Sequence, residues 1–312
     1  MRRNAALALV AGSVFVASRV AGAQELPLVR IGTNAIDALG EAYYGADSGI
    51  FRSNGLNAVV TTTPNGSTTA QAVIAGDLDV GLGNIVTVAA GVAHGIPLQM
   101  IAPAALYSAK HAYSALCCAK TSPMASAKDL IGQPCAVSTL NDFNQLGIEA
   151  WLEKNGVAVS KVKFVELKFA EMGAALARGT VAAATISEPA LTASLNTGQT
   201  RVFADVYSAI APEFANIVWF STKTWLQKNP DSAKRLVTGI YATARWANTH
   251  LAESATIIAR IAKIDPATVG GMRRAFFATG PDPKYVQAPL DYAFRFGLTA
   301  RAVTTAEFIA QT

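Results

Sequence analysis

Apolar positions recur along this chain with two periods, two residues and three to four residues. The order in which those periods alternate is repeated about a hundred residues on. VRIG (Val29 to Gly32) reads as a strand, Leu39 to Ser53 as a helix, and LNAVV as a strand. A short helix ending at Ala75-Gly76 and a strand, LDVGLGN, complete the first unit. In the first helix Leu39, Ala42, Tyr43, Ala46, Ile50 and Phe51 fall on one stripe. The second unit opens with the strand CAVS (Cys135 to Ser138), a helix over Asn144 to Glu153 and the strand VKFVEL. A helix ending at Arg178-Gly179 and the strand VAAATISEP follow. Gly55 and Gly156 stand 101 positions apart, and Gly76 and Gly179 stand 103 apart. Such glycines close helices, because the residue after a helix end often adopts a left-handed conformation that glycine takes without strain. Alternating strands and helices build parallel, helix-covered sheets. Two copies predict an α/β chain of two lobes, each a parallel-rich sheet, with a ligand cleft beyond the carboxyl ends of the strands.

Between and after the units the pattern is looser. LQMIA (Leu98 to Ala102) reads as a strand, Ala104 to His111 as the first crossover between lobes, and AYSALCCAK as the strand beyond it. Val206 to Ser221 reads as a loop and a returning strand, with the second crossover near Ser221–Trp225. Asn229-Pro230-Asp231 opens a long helix reaching Trp246. Helices over Ser254 to Lys263, Thr268 to Ala278 and Pro283 to Phe296 form a tail expected on the first lobe. The expected division is 24–108 with 223–312 for lobe 1 and 109–222 for lobe 2.

The first 23 residues are set apart. Arg2 and Arg3, an apolar run from Ala5 to Ala17, and Ala21-Gly22-Ala23 before Gln24 have the form of a secretory signal peptide. The run is too short for a bilayer core, which needs about 20 residues. Three of the 26 basic residues lie there and no acid does, leaving 23 bases against 21 acids. So small a net charge gives no reason to expect nucleic acid as a partner. No cysteine stands at the cleavage site, so a released periplasmic protein is expected. Cys117, Cys118 and Cys135 lack the spacing of a metal site. They read as buried small residues, with a disulfide from Cys135 to Cys117 or Cys118 as the alternative.

Several strings in this order resemble the periplasmic substrate-binding proteins of ABC importers for nitrate, taurine, alkanesulfonates and thiamine precursors. They are VRIGTN, YYGADSGIFRSNGLNAVV, AVIAGDLDVGLGN, HGIPLQMIA, SPMASAKDLIGQPCAVS, ISEPA and STKTWLQKNPDSAKRLVTGIYATARW. One departure is Ala182, where the family tends to carry an acid, the counterpart of Asp79; that position reads as structural. The resemblance implies a type II periplasmic binding fold and a hinge-bending receptor. Such a receptor, a monomer without cofactor or metal, hands a small solute to a membrane permease with its ATPase. It is not an enzyme, although the same fold hosts pyrimidine-synthase and dehydratase relatives. A ligand-presenting sensor subunit is a further alternative.

By position, the family's pocket loops correspond here to Asn34–Asp37, Ser67–Thr69 (Ser67, Thr68, Thr69), Asn84, Asn141–Asn144 (Asn141, Asp142, Phe143, Asn144) and Glu188, with Trp219 as an addition. The Ser and Thr residues read either as helix caps or as an anion or hydroxyl site at free helix amides. Phe143 and Trp219 read as stacking partners or as core. The loops contain Asp37, Asp142 and Glu188, with Glu41 nearby, and neither Lys nor Arg. That charge favours an organic solute with donor or cationic groups over an inorganic anion.

Overall fold

The computed structural model describes residues 25–311. The signal-peptide reading falls on residues 1–23, outside them. The first unit runs β1 (Leu28–Thr33), α1 (Glu41–Asp47), α2 (Ile50–Ser53), β2 (Asn57–Thr62), α3 (Gly66–Ala75) and β3 (Val80–Asn84). After it come α4 (Ile85–Ala93) and β4 (Leu98–Pro103), and then β5 (Ala105–Ser108) and β6 (Ser114–Ala119). The second unit runs β7 (Pro134–Val137), α5 (Phe143–Lys154), β8 (Lys163–Glu166), α6 (Phe169–Ala177) and β9 (Ala183–Ser187), then α7 (Ala190–Asn196) and β10 (Thr200–Ala204). β11 (Glu213–Ala215) and β12 (Ile217–Thr222) lead into the tail.

The repeat in the sequence is a repeat in space. One sheet has the order β2-β1-β3-β12-β4 and the other β8-β7-β9-β6-β10. In each, the three strands of the βαβαβ unit are parallel and the fourth strand is antiparallel to them. That fourth strand arrives from the other sheet: β6 enters the second from β4, and β12 enters the first from β10. The chain therefore passes between sheets over 104–113 and 205–216. This moves the second crossover from its expected place near Ser221–Trp225. Residues 217–222, expected on the second side, are hydrogen-bonded between β3 and β4 of the first sheet. Burial explains the placement: Val218, Trp219 and Phe220 are completely buried, as a central strand with helices on both faces requires. β5 and β11, one from each passage, pair antiparallel, and β13 (Phe276–Phe277) adds to the other edge of β5.

Two helix expectations change. The stripe from Leu39 to Ser53 is broken at Gly49, whose φ of 76° ends α1 and lets α2 start in a new direction. Of Thr268 to Ala278 only the start is helical. α8 (Lys223–Lys228), α9 (Pro230–Thr249) and α10 (Leu251–Ala262) lead to the short α11 (Pro266–Gly271), and a turn over 272–275 then leads into β13. The side-chain acceptors of Asp37 and Glu188 hold the turn between α11 and β13 in extended form, as described below. α12 (Lys284–Arg295) and α13 (Thr305–Phe308) end the chain. α9 covers α1 and α2, sealing Phe51, Trp219, Leu236 and Ile240 in one core. The tail also reaches across: α11 touches α7 and α12 touches α5. The three cysteines are buried and free. Cys118 and Cys135 both stand opposite Ala183, one on each side of β9. Two strand spacings exceed the ~7 Å limit between Cα atoms that a disulfide can bridge.

Candidate functional site

The carboxyl ends of the parallel strands in both sheets border one cleft of about 380 Å³. From the first sheet come the loop after β1 with Asn34 and Ile36, the start of α3 with Ser67, and the β3–α4 junction with Asn84. From the second come Ser138, Asp142, Phe143 and Asn144 after β7, Glu166 at the end of β8 with Lys168 and Phe169 beyond it, and Ser187 at the end of β9. Tyr113 and Asn216, from the two passages, lie between them. A second hollow, of about 500 Å³, is lined by Ser122, Met124, Pro134 and Ala182 at the opposite, amino edge of the second sheet. We take the cleft as the site, because loops of both sheets converge there and ligands in open α/β sheets bind beyond the carboxyl ends.

Asn34, Ser67, Asn84, Asp142, Phe143 and Asn144 are thus brought together on the lining. Most of their polar atoms have internal work. Asn34 Nδ2 donates to Thr63 O at 2.6 Å, stitching the ends of β1 and β2. Asn84 Oδ1 accepts from Thr87 N at 2.8 Å and caps α4. Asp142 caps α5, accepting from Asn144 N at 2.8 Å and Gln145 N at 3.3 Å. Its other oxygen accepts from Ser138 Oγ and Asn144 Nδ2, each at 3.2 Å. Burial pushes the Asp142 carboxyl up to about 6, against the downward pull of those bonds. Asn144 Oδ1 accepts from the Tyr207 hydroxyl at 2.6 Å. Phe143 stacks on Tyr207, with centroids 5.1 Å apart and planes at 12°. Ser67 is exposed, with its hydroxyl free of internal bonds among those described.

The other six expected residues are not on the lining. Asp37 is buried: its Oδ1 accepts from Tyr44, and Arg274 and Ala275 hold both oxygens. Glu188 accepts from Thr192 N and Oγ1 at 3.0 and 2.9 Å, and from Arg273 N at 3.2 Å. Burial raises its pKa, and those bonds draw it back down. Trp219 is wholly buried, donates from Nε1 to Glu41 Oε2 at 2.6 Å and meets Phe51 edge-on. It is core and cannot stack on a solute. Thr69 is buried, its hydroxyl 2.5 Å from that of Thr63. Thr68 bonds Asn65, which is the cap of α3 in place of the expected Ser or Thr. Asn141 takes a φ of 58° and donates its N–H to Gln145 Oε1.

The expectation of acids without bases is corrected as well. Lys168 lines the cleft beside Glu166. The repeat carried the signal: adding the 103-residue offset of the second glycine pair to Asn65 leads to Lys168, the residue before α6 just as Asn65 precedes α3. Tyr113 and Asn216 had no such signal, since the passages have no counterpart in the repeated units. Asp79 is structural, as expected. It takes Arg30 N at 2.8 Å and Arg30 Nε and Nη2 at 3.1 and 2.7 Å. No histidine or cysteine lies on the cleft lining.

No curated relative matches the chain. Among solved structures, the periplasmic aliphatic sulphonate binding protein SsuA from Escherichia coli is similar with a TM-score of 0.76 at 17% identity, over 92% of this chain and 93% of that one. The periplasmic nitrate-binding protein NrtA from Synechocystis PCC 6803 gives 0.74 at 14% identity, over 90% and 84%. The desulfurization enzyme DSZB gives 0.67 at 15% identity, over 91% and 96%. At such identities the likeness is one of fold. The fold is that of periplasmic binding proteins, and it carries an enzyme as well. The family model described as "NMT1/THI5 like" matches residues 39–253, reaching from the first sheet through the second and back. The chain belongs to the NMT1/THI5-like family.

Proposed function

We propose that the protein captures a small organic solute in the cleft and delivers it to the permease and ATPase of an ABC importer. It would be secreted, cleaved after Ala23, and work in the periplasm as a monomer. The observation that carries this reading is the cleft itself. Two equivalent strand-end surfaces face one space large enough for a small molecule, and among the described residues the chain passes between the two five-stranded sheets only over 104–113 and 205–216. The two lobes would be 24–103 with 217–312, and 114–204. Closure about the segments between them would enclose the solute.

The lining carries Glu166 and Lys168, amides at the starts of α3 and α6, and apolar faces from Ile36, Phe143 and Phe169. That mixture suits a polar organic molecule with both donor and acceptor groups better than a bare inorganic anion or a simple cation.

Thermal-shift screening of the purified protein against a solute library tests the reading. Saturation at 100- to 1,000-fold excess over Kd should add roughly 3–4 kcal/mol of stability. Absence of any stabilising solute across sugars, amino acids, sulfonates and heterocycles would count against it.

A further inference from the structure

Where the two passages meet at the floor of the cleft, they present a pair of side chains. Asn216 precedes β12 and Tyr113 precedes β6. Asn216 Nδ2 donates to the Tyr113 hydroxyl at 2.8 Å. Both residues line the cleft, at 9% and 4% exposure. Their backbones are fixed: Asn216 N donates to Ala105 O at 3.1 Å, and its carbonyl accepts from Ile85 N at 2.9 Å. The Tyr113 carbonyl accepts from Glu188 N at 2.9 Å.

The side chains are not used up. A primary amide offers two N–H donors and a carbonyl; a phenol offers one donor and a lone pair. Asn216 Oδ1 is buried with no hydrogen-bond partner. The Tyr113 hydroxyl receives its one bond from Asn216 and makes no other among those described. Its own proton is therefore uncommitted. Burial pushes the phenol well above its ordinary pKa, so the proton stays in place at neutral pH. Turning the amide over exchanges the roles without removing them, because the hydroxyl would then donate to Oδ1 and leave the amide N–H groups to donate and the phenol oxygen to accept. In either orientation at least one unspent donor stands beside one unspent acceptor. An unpaired buried polar atom is costly, and a ligand that supplies its partner relieves the cost only in the bound state.

We infer that Tyr113 and Asn216 form a recognition pair for a neutral amide-like edge, a donor and an acceptor on neighbouring atoms, as found in carboxamides and lactams. This rests on the reading of the cleft as the solute site and adds the chemical class of one end of the solute. A carboxylate or sulfonate brings acceptors only and would leave the carbonyl of Asn216 unpaired or repelled. An ammonium group brings donors only.

Five probes of similar size test the inference by calorimetry on the mature protein: 2-pyridone, uracil and cytosine carry the amide-like edge, and benzoate and benzenesulfonate do not. The expected result is at least tenfold tighter binding of one or more of the first three than of either anion. Tyr113→Phe, which keeps the packed ring, and Asn216→Ala, which adds no charge, should each weaken that binding about tenfold and change anion binding less than twofold. Tighter binding of the anions, amide-edge binding unmoved by Tyr113→Phe, or no binding of the three probes would overturn the inference. In the last case a solute from the wider library that still stabilises the protein leaves the cleft reading standing, and failure of the whole library removes both.

Discussion

Asp37 Oδ1 lies 3.0 Å from Nε and 2.8 Å from Nη2 of Arg274, a residue 237 positions further along the chain. Asp37 Oδ2 accepts from Ala275 N at 2.7 Å. One position earlier, Arg273 N donates to Glu188 at the end of the second sheet. Consecutive residues of the tail thus hold one acid from each side of the cleft, and neither acid is free for a solute. Arg274→Met should leave a buried carboxylate without its counter-charge and cost about 3–5 kcal/mol, the range for breaking buried pairs. Urea unfolding measures it; a loss under ~1 kcal/mol would show that Tyr44 and Ala275 N suffice to hold the charge.

Asp142→Ala removes the cap of α5 along with a charge at the cleft. A loss of about 1–2 kcal/mol in stability is expected from the cap alone. Asp142→Asn keeps an acceptor for Asn144 N and Gln145 N and should lose less than half as much. Equal losses for the two would mean that the charge, rather than the cap, sets the stability.

Burial pushes the Glu41 carboxyl from 4.5 to about 8, and its Oε1 has no partner. Glu149 is raised by burial to about 7 and Asp142 to about 6. A raised acid binds its proton more tightly in the folded state than in the unfolded one. Its contribution is present below the unfolded pKa and is lost as pH rises through the folded one. Tm should therefore fall between about pH 4.5 and 8. Glu41→Gln keeps an acceptor for Trp219 Nε1 and should flatten the upper part of that fall. A thermal-melt series from pH 5 to 9 on both proteins decides it; parallel curves would place the titration elsewhere.

Gly147 faces Tyr207 so closely that an added Cβ would lie 2.6 Å from a ring carbon. Gly147→Ala should displace Tyr207, and with it the stacked Phe143 and the hydrogen-bonded Asn144. The cost should be about 1–3 kcal/mol, as for other overpacked sites. Binding of any cleft solute should weaken as well. A crystal structure of the variant with Tyr207 unmoved would refute the coupling.

The two βαβαβ units were legible because each helix stop and strand start is local: glycines at 55, 76, 156 and 179 all adopt positive φ. The same locality explains what was misread. Whether Asp37 or Glu188 faces a solute depends on Arg274 and Arg273, which lie 237 and 85 residues away. Trp219 looked available because its strand was placed on the wrong side of the second crossover, whereas Glu41, 178 residues off, receives its N–H in the core. Lys168 could have been found from the repeat offset. Tyr113 and Asn216 meet only because two passages 103 residues apart converge, which no periodicity records.

The most direct test of the cleft is a crystal structure of the protein with the best solute from the library screen. The solute is expected between the two sheets, touching at least one group near Ser67 or Asn84 and one near Asn144 or Lys168, with the sheets closer than in the unliganded protein. A solute seated in the hollow around Ser122 and Pro134, or bound to one sheet with the lobes unmoved, would contradict capture by closure.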